Sequence, residues 1–348
     1  MATTAFATIP MLVPKTDLLQ PLKALVAFDP KGSPYIGVQL GDAPQFYRSS
    51  TNGFIRTKNF GDGKITHVSL SNLIDCLRNL PEDAVQLGLD SSGILRIYGT
   101  SSDVFESETH VHTVSEGQAG LKKHDIGEVR FDVDKDAFSR INVKAFKTVT
   151  PPVLVKGRLM LSTDAGATVM WDGPESIQGL PDPFYPRESF LRMVSGGTEI
   201  RRITITANGY WGAEIEDMIT YTKGHVIGRQ IFDNYAAPGT EIARLPAQRL
   251  VVGLDAAVGL LEPMERVEVD PKLGILAKGK FGDNRNSIGE TGDWPRFATL
   301  AKTAKVISEA LSQAVEDEAI LYSIAPTPGG SILLRLKRGP FEINFRAY

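Results

Sequence analysis

The stretch HVSLSNLIDCLRNLPEDAVQLGLDSSGILRIYG, His67 to Gly99, contains one complete structural unit. Leu70, Leu73, Ile74 and Leu77 fall at i, i+3, i+4 and i+7, an apolar stripe along one helix face. Ser69 or Ser71 offers a hydroxyl to cap the first turn, and Pro81 stops the helix. Beyond it Val85, Leu87 and Leu89 alternate as in a half-buried strand. Asp90-Ser91-Ser92-Gly93 then turns the chain, and Ile94 and Ile97 are expected in the returning strand. The unit is therefore a strand-like lead, a helix of about three turns and a set of alternating strands.

The same pattern recurs. Thr303 to Gln313 carries Ile307 and Leu311 on a helical stripe, Ile320–Ile324 is strand-like, TPGG (327–330) turns, and SILLRLKR returns. Leu18, Leu19, Leu22 and Leu25 open another copy near the N-terminus, and further helices are expected at Asp136–Lys147, Arg187–Ser195 and Gln248–Leu261. Six such units at a spacing of roughly 50–65 residues exceed most solenoid periods. Two units per domain gives three α+β domains, cut at 1–125, 126–238 and 239–348. Periodicity alone also admits an unrelated α+β protein whose helices recur by chance.

The chain has 348 residues, 42% of them hydrophobic and 23% charged, with a formal net charge of −3. That is the composition of an ordinary globular protein, long enough for two or three cores. No apolar stretch approaches the roughly 18–20 residues that span a bilayer. The opening MATTAFATIPMLVPK lacks a basic region ahead of its apolar residues, so a cytoplasmic location is expected. The single cysteine, Cys76, excludes an internal disulfide framework and a cysteine-rich zinc site. Basic and acidic side chains number 11 and 13, 13 and 14, and 14 and 14 in the three parts, so none is a basic nucleic-acid module by bulk charge.

Catalytic motifs are missing. The sequence holds no GxxxxGK, GxGxxG, HExxH or GxSxG. Among the five histidines, His110 and His112 would share one face of a strand, but no third metal ligand accompanies them. Asp132, Asp134 and Asp136 imitate the start of a calcium loop, yet Ala137 and Val143 stand where its glycine and glutamate belong. Cys76 among apolar helix neighbours reads as a packed thiol. Neither catalysis, nor a cofactor, nor a metal is expected.

The basic residues are more informative. Lys23 lies on the first helix, Arg78 on the second, and Arg140, Lys144 and Lys147 on the third. Arg187 and Arg192 belong to the fourth and Lys302 and Lys305 to the last; Lys31 is counted with them. Each alone reads as a solvated helix residue. Recurring across units, they form a candidate surface for a polyphosphate.

Several segments resemble, in order, the DNA sliding clamps of the three-domain bacterial type, the DNA polymerase III beta subunit family. Leu18-Leu19-Gln20-Pro21-Leu22 resembles the opening of the family's first helix, and Leu77-Arg78-Asn79-Leu80-Pro81-Glu82 the end of its second. Trp171-Asp172-Gly173 resembles the Thr-Asp-Gly turn of the middle domain. Gly228-Arg229-Gln230-Ile231-Phe232-Asp233-Asn234-Tyr235 resembles, with an insertion, the segment leading into the third domain. The resemblance implies two βαβββ units per domain, sheets outside and helices lining a hole, and two chains closed head to tail around duplex DNA. It implies a polymerase processivity factor, with polymerase and clamp-loader subunits bound through short hydrophobic peptides and no membrane partner. By position, the peptide pocket would comprise Val155, Trp171, Gly173, Pro238, Phe345 and Arg346. The departures concentrate there: Pro174-Glu175-Ser176 follow the turn, and the tail reads Ile343-Asn344-Phe345-Arg346-Ala347-Tyr348. Such divergence is what a clamp serving a phage or plasmid polymerase would show. The alternative is a clamp-fold ring that tethers other proteins, in viral transcription or assembly.

Overall fold

The computed structural model describes residues 12–28, 32–41, 43–101, 104–178, 185–195, 199–225, 238–280, 282–289, 292–324 and 332–348. In chain order these residues follow a βαβββ pattern six times, complete in four copies, with a 3-10 turn in place of the third copy's helix and a lone bridge in place of the fourth's first strand. Val13–Pro14, helix α1 (Lys15–Phe28) and strands Tyr35–Gln39, Gln45–Ser50 and Gly53–Thr57 make the first copy. Thr66–Ser69, α2 (Leu70–Asn79), Ala84–Leu89, Leu95–Ser101 and Val104–Val111 make the second. After the short helix α3 (Glu116–Ala119), the third runs from Val129–Val133 through a 3-10 turn at Val143–Ala145 to Val153–Val155, Arg158–Ser162 and Ala167–Asp172. The fourth opens with a lone bridge at Tyr185, then α4 (Glu188–Val194) and strands Ile200–Thr206, Tyr210–Ile215 and Met218–Lys223. Thr240–Pro246, α5 (Ala247–Val258), Arg266–Asp270, Gly274–Gly279 and Gly282–Asn286 form the fifth. Phe297–Leu300, α6 (Ala301–Leu311), Glu318–Ile324, Ile332–Arg338 and Phe341–Ala347 form the sixth.

The local chemistry accounts for these bounds. Ser69 caps α2, its hydroxyl accepting from Asn72 N at 3.4 Å, and the stripe Leu70, Leu73, Ile74 and Leu77 is buried. Leu80 is extended because Pro81 follows it. In α1 the buried face Leu18, Leu22, Leu25 and Phe28 carries the helix past Pro21, which removes one i to i−4 bond. Ile94 stands in the turn, and the returning strand begins at Leu95. One helix fails. Asp136–Lys147 forms turns and one 3-10 turn, because Asn142 leaves helical geometry and its side chain accepts from Lys144 N at 3.2 Å. Arg140 and Lys147 therefore lie on irregular chain and Lys144 in the 3-10 turn, none of them on an α-helix. The TPGG turn (327–330) and the 228–235 segment lie outside the described residues.

By compactness the chain divides into two units. The first comprises Met1–Lys135 and Glu199–Lys223. It holds a four-stranded sheet, in the order Val13–Pro14, Ala84–Leu89, Leu95–Ser101 and Val104–Val111. Its nine-stranded antiparallel sheet runs Val129–Val133, Ile200–Thr206, Tyr210–Ile215, Met218–Lys223, Gly53–Thr57, Gln45–Ser50, Tyr35–Gln39, Thr66–Ser69 and Thr113–Val114. Gly53 lets two of these strands meet: a Cβ there would lie 2.0 Å from Tyr221 O.

The second unit comprises Asp136–Thr198 and Gly224–Tyr348. Its seven-stranded sheet runs Val153–Val155, Arg158–Ser162, Ala167–Asp172, Phe341–Ala347, Ile332–Arg338, Glu318–Ile324 and Thr240–Pro246. Its four-stranded sheet runs Gly282–Asn286, Gly274–Gly279, Arg266–Asp270 and Phe297–Leu300. Helices α5 and α6 pack on each other, with Ser308 Oγ donating to Asp255 Oδ1 at 2.6 Å. No helix among the described residues is long and apolar enough to cross a membrane.

Candidate functional site

In the first unit, Lys23 and Arg78 are exposed because the opposite faces of α1 and α2 carry the buried leucines. Asp17 and Asp75 are exposed on the same two helices, so these surfaces are balanced in charge. Lys31 lies outside the described residues.

In the second unit, Arg192 serves the fold: its Nε bonds Glu188 Oε1 at 2.7 Å and its Nη2 donates to Phe146 O at 2.9 Å. Arg187 is half-buried, and burial lowers its pKa. Lys147 pairs with Asp164 at 2.8 Å, and Lys302 Nζ donates to Asp164 O at 3.4 Å. Lys305 lies 3.9 Å from Glu309, while Arg140 and Lys144 are exposed. Sequence reasoning passed over Arg249, exposed in the first turn of α5. Its signal was present, since the helix expected at Gln248–Leu261 contains it. These surfaces offer scattered cations among carboxylates, suited to weak, exchanging phosphate contacts.

Val155, Trp171 and Phe345 are all buried in the seven-stranded sheet, at 2%, 1% and 0% exposure, but Val155 stands on the face of Arg158 and Asp172, opposite the other two. Register puts Trp171 opposite Phe341 and Ala167 opposite Phe345, so the two aromatics share one face. Trp171 packs on Phe138 with ring centroids 6.2 Å apart, and Phe345 on Phe297 at 5.8 Å. Gly173 follows the strand Ala167–Asp172, its N–H donating to Gly157 O at 2.9 Å, where a Cβ would meet Ile177 Cδ1 at 2.2 Å. Only Pro238 and Arg346 of the six are exposed. The terminal Tyr348 is tied by backbone bonds to Ala298, its ring 5.1 Å from Arg266.

On the opposite face lies a charge network the sequence did not reveal. Glu342, 5% exposed, has Lys337 Nζ at 3.1 Å, Arg335 Nε at 3.6 Å and Arg158 Nη2 at 3.7 Å. Arg158 also donates to Asp172 Oδ2 at 2.9 Å, and Arg335 to Asn344 Oδ1 at 2.8 Å. Burial lowers the pKa of Arg335, opposed by Glu342. Three cations around a sequestered carboxylate make this a structural joint between strands from the third and sixth copies.

Several other titratable groups serve the fold. His124 bridges Ser50 O at 3.0 Å and Tyr210 Oη at 3.2 Å, and burial lowers its pKa. His225 lies 2.9 Å from Pro152 O and packs against Tyr185. Asp132 pairs with Arg202 at 2.6 Å. Cys76 is half-buried beside Thr109. No group of three or more His, Cys, Asp or Glu that could hold a metal ion occurs among the described residues. Each of the four sheets is open among the described residues, and its edge strands include Val104–Val111 in the first unit and Gly282–Asn286 in the second.

Against solved structures, the likeness runs nearly end to end. The Pseudomonas aeruginosa DNA polymerase sliding clamp matches with a TM-score of 0.69 at 11% identity, over 98% of this chain and 100% of that one. The chain has the sliding-clamp fold. The Caulobacter crescentus beta sliding clamp matches this clamp-fold chain with a TM-score of 0.71 at 14% identity, over 98% and 99% of the two chains. The Helicobacter pylori beta clamp, solved with a DNA ligase peptide, matches at 0.69 and 13%, over 98% and 100%. No family model and no curated protein matches the clamp-fold chain by sequence. At such identities, the backbone plan persists while most side chains have changed.

Proposed function

We propose that this chain is a DNA sliding clamp and polymerase processivity factor, without catalytic activity, acting in the cytoplasm. Two copies would close head to tail around duplex DNA, each with three domains, 1–125, 126–238 and 239–348, of two βαβββ copies. The supporting observation is the end-to-end likeness to bacterial clamps, 98% of this chain against 99–100% of theirs. Two of the edge strands, Val104–Val111 and Gly282–Asn286, support ring closure, since exposed edges invite association and a heterologous contact between them would cover both. Exposed Glu108 on one and Arg285 on the other are complementary in charge.

Within the ring, Lys23, Lys31, Arg78, Arg140, Lys144, Lys147, Arg187, Arg192, Lys302 and Lys305 are the proposed source of phosphate contacts, joined by Arg249. The exposed, unpaired members would contribute most. Polymerase and loader peptides would meet Pro238 and Arg346 at the surface, with Val155, Trp171, Gly173 and Phe345 beneath.

Light scattering across a dilution series tests the ring, with a particle near twice 37.9 kDa as the expected result. Retention on nicked circular DNA, and loss once the circle is cut, tests encirclement. A dimer that ignores circular DNA would overturn the replication reading in favour of a ring tethering other proteins. A strict monomer, with DNA and without, would overturn ring closure itself.

A further inference from the structure

We propose that His110 and His112 form a two-imidazole site for a divalent transition-metal ion of the Zn2+, Ni2+ or Cu2+ kind. A ring contact along Val104–Val111 would pair the backbone edge of the strand, whereas its side chains project from the sheet faces. The two residues stand at i and i+2, His110 in the Val104–Val111 strand and His112 just past its end, so both imidazoles project from one face. Their ring centroids are 5.2 Å apart with planes at 89°. Both side chains are exposed, so small rotations can aim one nitrogen of each at a common ion without disturbing the core. Zinc–nitrogen bonds of about 2.0–2.1 Å need those nitrogens little more than 3 Å apart, and water would complete the coordination.

The backbone beneath is held from several sides. Val111, between the two, is 2% exposed and pairs with Leu95, while His110 pairs with Arg96. Cys76 Sγ reaches His110 O at 3.6 Å. Thr113 Oγ1 donates to Gly93 O at 2.7 Å, and Thr113 itself pairs with Val68 in the nine-stranded sheet. The segment is thus stretched between two sheets, which limits the ordering that chelation must impose. Arg96, the cation opposite His110, is ion-paired to Asp90 at 2.8 Å and to Glu108, which offsets its charge.

The test is calorimetric titration of the tag-free full chain with Ni2+, then Zn2+, in a non-chelating buffer at pH 7.5. The expected result is one ion per chain, at least tenfold weaker in each of His110→Asn and His112→Asn and lost in the double variant. Binding should also weaken at pH 5.5, where protons compete for the imidazoles. Binding that survives the double variant, or that depends on one histidine only, would overturn the proposal, as would absence of binding at millimolar ion. Should a variant fail to match the wild-type dichroism spectrum, the wild type decides: one equivalent of Cu2+ should show two imidazole nitrogens by electron paramagnetic resonance, and a single nitrogen refutes chelation.

Discussion

Trp171 separates a core role from a surface role at the place where a partner pocket is expected. The side chain is 1% exposed and packs on Phe138. A buried indole removes about 150–250 Å² from water. At about 25 cal/mol per Å² that is about 4–6 kcal/mol, an upper figure because the unfolded chain already hides part of it. Trp171→Ala should therefore cost about 3–5 kcal/mol. Trp171→Phe should behave differently. Trp171 Nε1 is buried without a hydrogen-bond partner among the described residues, a situation that costs about 1–3 kcal/mol. Phenylalanine removes that donor while keeping most of the ring, so relief offsets the lost area and the net change should stay within about 1 kcal/mol. Urea unfolding followed by circular dichroism measures both. A Trp171→Ala variant as stable as wild type would refute the core assignment. A Trp171→Phe variant as damaged as Trp171→Ala would show that the indole N–H has a partner.

Gly53→Ala should destabilise by about 1–3 kcal/mol, because its Cβ would fall 2.0 Å from the main-chain Tyr221 O; Gly117→Ala, with open space around it, should be neutral or better in the same melts. Burial lowers the pKa of His67, His124 and His225, so the folded state disfavours their protonation. Their contribution is intact above the unfolded value near 6.5 and is lost as pH falls through the window below it. The urea midpoint should therefore drop between pH 7.5 and 5.5, and less in His124→Gln and His225→Gln. Truncating Lys23, Arg78, Arg249 or Lys305 to alanine should leave stability within about 0.5 kcal/mol. Each that touches phosphate should reduce the salt slope of DNA binding by about one, measured with the ring loaded on a circle.

The α+β plan was legible from residues alone, because an apolar helix stripe followed by alternating strands records burial directly in spacing. His67–Gly99 set out α2 with its Pro81 stop and a cap at Ser69 or Ser71, of which Ser69 serves, and the helices expected at Arg187–Ser195 and Gln248–Leu261 form within a few residues of those bounds. Asp136–Lys147 misled because Phe138, Ile141 and Phe146 are buried by turns just as a helix would bury them. Periodicity detects burial, and Asn142 decides the backbone by bonding Lys144 N. Positions of basic residues were also legible. Their distant partners were not: Arg192 gives part of its guanidinium to Phe146 O, a contact that exists only after residues 46 apart meet. The same reason hid the Glu342 network and the burial of Trp171 and Phe345, which depend on strand Phe341–Ala347 entering between Ala167–Asp172 and Ile332–Arg338. Spacing along the chain determined which side chains face inward; only the pairing of distant strands decided what each of them meets there.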